Sequence, residues 1–198
     1  GLKIALRDLE IRGAGNLLGP EQHGFIASVG FELYCRLLEE AVREIKGQLE
    51  PETPDPVIDL KLDAFLPEAF IPDPKQKVDL YKKIAGAKEL REIDEIRDEI
   101  EDRFGDLPSP VRNLLHVARL KILAKKVGVA QIGAERTDVV IKFLSGLSLD
   151  DDKALDLIRR FRGQVRVNTT KPPAIRVKTA NLPDEAVLKL LQEVLAAL

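Results

Sequence analysis

No phosphate-binding loop of the form G-x-x-x-x-G-K-[ST] occurs anywhere in the 198 residues, so nothing marks this chain as able to hydrolyse a nucleotide by itself. A single cysteine, Cys35, excludes an internal disulfide and fits a reducing cytoplasm. The two histidines, His23 and His116, lie far from each other and from Cys35, and give no metal-ligand spacing. Neither histidine has a neighbouring Ser, Cys or carboxylate arranged as a nucleophile and base. No apolar run approaches the ~20 residues of a membrane-spanning helix. No secretion signal opens the chain, and its start at Gly1 and not at Met reads as a piece of a longer protein. These absences leave no catalytic residue, no metal ligand and no bound cofactor to assign.

What is present is ordinary soluble protein: 44% hydrophobic and 32% charged residues, enough chain for one good domain and an appendage. The net charge of −2 rules out a polycation seeking nucleic acid as a whole. Its distribution is uneven. From Glu89 to Asp106 acids dominate, with Glu92, Glu95, Glu99, Asp102 and others against Arg91, Arg97 and Arg103. From Arg112 to Lys178 bases dominate, among them Arg159, Arg160, Arg162, Arg166, Lys171 and Arg176. Each stretch reads either as a partner surface or as a solvated face.

Apolar spacing sets out the elements. Phe31, Tyr34, Leu37, Leu38, Ala41 and Ile45 recur at helical intervals, and Gly47 is a stop. The proline-rich segment 51–56 cannot be helix and divides residues 1–48 from residues 49–198. Alternation over Val57–Leu62 suits a strand. Helices are expected over Lys75–Ala85, Glu89–Phe104, from Ser109-Pro110 towards Gly128, over Asp150–Arg162 and from Pro183 onward. Ser109 is expected to cap the third of these through its hydroxyl. Buried stripes are expected at Val111, Leu114, Leu115, Ala118 and Ile122, and at Val187, Leu190, Leu191, Val194 and Leu198. Strands are expected at Asp138–Leu144, and as a hairpin at Val165–Thr169 and Ala174–Lys178. Without regular β-α-β alternation the fold class is α+β, helix-rich with a small mixed or antiparallel sheet.

The stretch Asp8–Gly24 is the most distinctive. Gly13, Gly15 and Gly19 permit unusual backbone angles, Arg12 offers a planar donor fork, and Gln22 offers a donor and an acceptor. It reads as a loop that grips phosphates or transmits motion, or as a plain connector. It lacks the spacing of a dinucleotide fingerprint. Asp98-Glu99-Ile100-Glu101 imitates a helicase acidic box but falls inside an amphipathic helix.

Arg12-Gly13-Ala14-Gly15-Asn16-Leu17-Leu18-Gly19, then Glu21-Gln22-His23-Gly24 and Val29-Gly30-Phe31-Glu32-Leu33-Tyr34, closely resembles the TRG motif of RecG-type and coupling-factor translocases. The continuation resembles the bacterial transcription-repair coupling factors. It does so through Tyr34-Cys35-Arg36-Leu37-Leu38-Glu39-Glu40-Ala41-Val42, Tyr81-Lys82-Lys83-Ile84-Ala85, Asp102-Arg103-Phe104-Gly105 and Leu107-Pro108. His23 and Asn16 depart from the family's usual residues, but not at Arg12 or Gln22.

The resemblance implies that residues 1–48 are the loop-and-helix tail of a RecA-like motor domain, and residues 49–198 a C-terminal regulatory domain. It implies a full protein that moves on double-stranded DNA, displaces stalled RNA polymerase and recruits UvrA, in a bacterial cytoplasm. ATP and Mg²⁺ would bind in motor parts upstream of Gly1. Arg12 and Gln22, with Gly13, Gly15 and Gly19, would couple hydrolysis to movement. The domain would mask the UvrA-binding domain of the same polypeptide, and Glu95, Glu99, Asp102 and Arg103 are expected to form that intramolecular interface. The alternative reading is a nucleic-acid-binding module that uses the basic surface between Arg112 and Lys178.

Overall fold

The computed structural model describes residues 54–198. The proposed motor tail, with Arg12, Gln22 and the three loop glycines, and the boundary at residue 48 lie outside the described residues.

Five helices and five strands follow in the order β1 (Val57–Asp59), α1 (Pro74–Gly86), α2 (Leu90–Phe104), α3 (Ser109–Lys126), β2 (Val129–Glu135), β3 (Asp138–Phe143), α4 (Asp151–Arg160), β4 (Val165–Asn168), β5 (Ala174–Lys178) and α5 (Asp184–Ala196). The fold is α+β, as the sequence pattern implies. Local chemistry sets most helix ends. Asp73 accepts from Lys75 N at 2.9 Å ahead of Pro74, and Asp150 accepts from Asp152 N at 3.3 Å. Gly105 takes φ +84° just past α2 and returns its N–H to Glu101 O at 2.9 Å. α3 differs from expectation: Pro108 occupies the capping position without a side-chain hydrogen bond, and Ser109 is already inside the helix, where its Oγ accepts from Arg112 at 3.0 Å. Pro110 contributes its fixed φ in the first turn and no side-chain cap is needed.

The sheet has the order β1-β2-β3-β5-β4, with β1 parallel to β2 and all other pairs antiparallel. β4 and β5 form the expected hairpin. β2 was not expected. An irregularity between Val129 and Gln131 breaks its alternation, so Val129 and Ile132, three residues apart, are both buried. β1 is shorter than expected, because only Val57–Asp59 pair with β2. Beyond it Leu60, Leu62, Ala64 and Leu66 are still buried alternately, in an extended strap without a strand partner among the described residues.

Ile132, Ile141, Ile175 and Val177 line the inner face of the sheet, and the helices cover it. α3 is the central helix and packs against α5, α2 and β2. Its stripe Val111, Leu114, Leu115, Ala118 and Ile122 is buried as expected; Leu120 and Ala124 add a second buried side. α5 turns differently from expectation. Leu188, Leu191, Val194 and Leu195 are buried, while Val187, Leu190 and Leu198 are only half-buried.

His116 on α3 meets α5. Gln192 Nε2 donates to His116 O at 3.1 Å and lies 3.0 Å from His116 Nδ1. An amide nitrogen only donates, so Nδ1 accepts and the ring is neutral. Burial lowers the imidazolium pKa below its ordinary value, more than Glu185 raises it and with Lys189 and Arg119 opposing the charge. The unfolded chain then binds this proton more readily than the folded one. Stability attached to His116 is complete above its ordinary range near 6.5 and falls as pH drops below it. Thermal melting from pH 7.5 to 5.5 should show that fall, and His116→Asn should flatten it. Depressed carboxylates such as Glu92, Glu99 and Glu185 lose their contribution only at lower pH. A slope unchanged by the substitution would remove His116 as its source.

Candidate protein-docking face

α2 is polar on three sides of its buried line Ile93, Ile96 and Ile100. The structure divides its acids by job. Glu92 folds back on the helix start, accepting from Lys88 N at 2.5 Å and Glu89 N at 3.2 Å, and those backbone donors hold its carboxyl below the usual range. Glu99 bridges to α1: Lys83 Nζ donates to its two oxygens at 2.9 and 2.7 Å, and Arg103 donates at 2.8 Å. The Lys83 hydrogen bond does most to lower the Glu99 pKa; burial opposes it, and the Arg103 hydrogen bond adds a smaller lowering. Asp94 holds Arg119 of α3 at 2.7 Å. Arg103 is committed twice, to Glu99 and over the Phe104 ring at 5.0 Å.

The remaining acids, Glu95, Asp98, Glu101 and Asp102, face solvent. Among the described residues Glu95 pairs only with Arg91, at 2.9 Å with both side chains well exposed. Among the described residues Asp98 pairs only with Arg97, at 2.8 Å. Asp102 is exposed and makes no ion pair with a described residue. Glu95, Asp98 and Asp102 stand at i, i+3 and i+7 and so share one side of the helix. Of the expected set, Glu95 and Asp102 therefore lie together on the outer face, while Glu99 and Arg103 are tied into their own domain. Asp98 was missed by sequence reasoning. A helical wheel placed on Asp102 reaches it, but choosing it over Glu99 requires knowing where Lys83 lies.

Much of the basic stretch is neutralised internally. Lys121 and Lys125 meet Asp55 at 3.1 and 2.6 Å, Lys126 meets Glu89 at 2.8 Å, and Arg176 meets Glu135 at 3.1 Å. Arg159, Arg160, Arg162 and Arg166, along α4, β4 and the turn between them, remain exposed. A groove of about 640 Å³ lies between the end of α3, the end of β3 and the start of α4. Its lysines are engaged, Lys125 with Asp55, Lys126 with Glu89 and Lys153 with Leu198 O at 3.0 Å. Among the described residues no group of His, Cys, Asp and Glu is placed to hold a metal ion, and no helix is long and apolar enough to cross a membrane.

The family model of the TRCF domain matches residues 60–154. The transcription-repair-coupling factor of Bacillus subtilis is 43% identical over 168 residues, 83% of this chain and 14% of that protein. That of Staphylococcus aureus is 48% identical over 134 residues, 67% of this chain and 12% of that protein. The chain thus spans about one seventh of the length of these relatives. In shape it is similar to the crystal structure of a C-terminal domain of transcription-repair coupling factor, with a TM-score of 0.68 at 22% identity, over 76% of this chain and 94% of the other. By these matches the chain belongs to the transcription-repair coupling factor family and carries its TRCF domain.

Proposed function

We propose that residues 54–198 are a regulatory docking domain that closes, through the outer acids of α2, on the UvrA-binding domain of its own full-length protein. The carrying observation is that Glu95, Asp98 and Asp102 share one outward side of α2, whereas Glu99, Asp94 and Glu92 are fixed to α1, to α3 and to the helix's own start. A rigid acidic row suits arginines on the surface it covers. Exposed ion pairs contribute about 0–1 kcal/mol each, and desolvated interface pairs more. Substituting all three acids by alanine in the full-length protein should raise UvrA affinity roughly tenfold, for a loss of ~1.4 kcal/mol of closure. UvrA capture at graded concentrations measures it, with melting of the domain as control. Glu99→Ala is the contrasting variant: it releases Lys83 and Arg103 and should lower the domain's melting temperature. Wild-type UvrA affinity in a fully folded triple variant would reduce the row to solvated surface.

The whole protein, on this reading, is an ATP-dependent translocase on double-stranded DNA that displaces stalled RNA polymerase, with ATP and Mg²⁺ held in its motor domains. Arg12 and Gln22, with Gly13, Gly15 and Gly19, serve there to couple hydrolysis to movement. Arg12→Ala or Gln22→Ala in the full-length protein should impair polymerase displacement more than ATP turnover, measured in parallel. Equal loss of both activities would place these residues in the hydrolytic machinery.

A further inference from the structure

From Leu157 to Pro183 the chain carries Arg159, Arg160, Arg162, Arg166, Lys171, Arg176 and Lys178, and no acid. The fold gathers most of them. In β4 and β5 the buried Val165, Ile175 and Val177 face the helices. Arg166, Asn168, Arg176 and Lys178 therefore alternate onto the opposite face of the sheet, and all four are exposed. α4 ends where β4 begins, so Arg159, Arg160 and Arg162 are exposed at that end of the sheet. Lys178 pairs with Asp138 at the start of β3, which brings the exposed Arg136 of the β2–β3 turn to the same end. Arg136 and Arg162 both hold left-handed backbone, at φ +53° and +43°, where glycine or asparagine would cost less.

Few of these charges are neutralised. Arg176 meets Glu135 at 3.1 Å and Asp138 at 3.9 Å, and Arg159 meets Asp156 at 3.8 Å. Arg160 lies over the Phe161 ring, 5.7 Å from its centroid. Arg136, Arg162, Arg166, Lys171 and Lys178 make no ion pair with a described residue. Arg166 stands directly across the ladder from Arg176, a like-charge pair that repels unless an anion joins it. The acids of α2 are elsewhere, since α2 packs on α1 and α3 whereas α4 packs on β4. β3, β4 and β5 expose no aromatic and no large apolar side chain; Leu155 and Ile158, which are exposed, belong to α4.

We propose that the outer face of β4 and β5, with the end of α4, is a sequence-independent binding surface for the phosphate backbone of double-stranded DNA. Arginine forks and lysines on a polar sheet face suit phosphates, which carry charge without sequence. Single strands would call for aromatic platforms, and a protein partner for an apolar centre on the sheet face. The choice of DNA among polyanions rests on the reading of the whole protein as a translocase on duplex DNA. The acidic row of α2 stays free for its own contact, because the two surfaces share no element.

The test uses the 198-residue chain and a labelled duplex of about 20 base pairs, read by fluorescence anisotropy from about 50 to 200 mM salt. Two unrelated sequences should bind alike, with log affinity falling against log salt by roughly 0.9 for each phosphate neutralised. R162A combined with R166A should weaken binding at least tenfold at the lowest salt and reduce that slope by about 2, with unchanged circular dichroism. K61A combined with K75A removes the same charge from the far side of the domain and should change neither. Amide shifts in the wild-type chain, which hold even where a variant folds poorly, should fall on residues 159–168 and 174–178 and spare α2. No duplex binding, an unchanged slope in the arginine variant, or shifts confined to residues 1–53 would each overturn the proposal. Tighter binding of a poly-glutamate peptide than of the duplex would overturn it in favour of an acidic protein partner. None of these outcomes involves motor activity, so polymerase displacement by the full-length protein tests the translocase reading separately.

Discussion

Leu188→Ala should lower the unfolding free energy by about 2–5 kcal/mol, whereas Leu190→Ala should cost roughly 1 kcal/mol or less. The two residues are neighbours on α5 and identical in chemistry. Leu188 is fully buried against the core; Leu190 is half-buried at its margin. Removing Leu188 loses the transfer free energy of its methyl groups and leaves a void, because α3 and the sheet cannot follow it in. Around Leu190 solvent fills the space at little cost. Urea unfolding monitored by circular dichroism measures both, and equal midpoints with equal slopes would mean α5 is rotated from the position described here.

That pair also shows what a pattern conveys and what it does not. α5 is apolar around most of its circumference, with Val187, Leu188, Leu190, Leu191, Val194 and Leu195 available, so a wheel gives a broad stripe and no unique centre. α3 was legible because its expected stripe is bounded by Arg112, Arg119 and Lys126 and by the stops Pro110 and Gly128. β2 was not, since its irregularity sets the buried Val129 and Ile132 three apart and Gly133 contributes no side chain. The acidic face was legible as a face, but not acid by acid. Lys83, which claims Glu99, is sixteen residues upstream on another helix, and only the packing of α1 on α2 brings them together.

The strap between β1 and α1 carries the second large effect. Leu60, Leu62, Ala64 and Leu66 are buried at period two, yet among the described residues no strand lies beside them. Buried backbone groups still need partners, and here side chains and a carbonyl in the first turn of α3 supply them. Asn113 Nδ2 donates to Asp63 O at 2.9 Å, Phe65 N donates to Pro110 O at 3.2 Å, and Leu66 N donates to the Tyr81 hydroxyl at 2.9 Å. Asn113 is the buried polar residue of the described core, and burial raises the Tyr81 pKa, so its hydroxyl stays neutral at physiological pH. Asn113→Leu should cost about 1–3 kcal/mol, because Asp63 O is left without its donor. Tyr81→Phe should cost about 1 kcal/mol and speed amide exchange at Leu66. The strap reaches the docking face through α1, since Tyr81 and Lys83 share that helix and Lys83 holds Glu99. Loosening the strap should therefore raise UvrA affinity of the full-length protein together with a loss of domain stability, unlike the triple acid variant, which should raise it without one. Unfolding midpoints, Leu66 exchange and UvrA capture on the same proteins separate the two. Normal exchange at Leu66 in Tyr81→Phe would mean that other packing, and not this hydrogen bond, holds the strap.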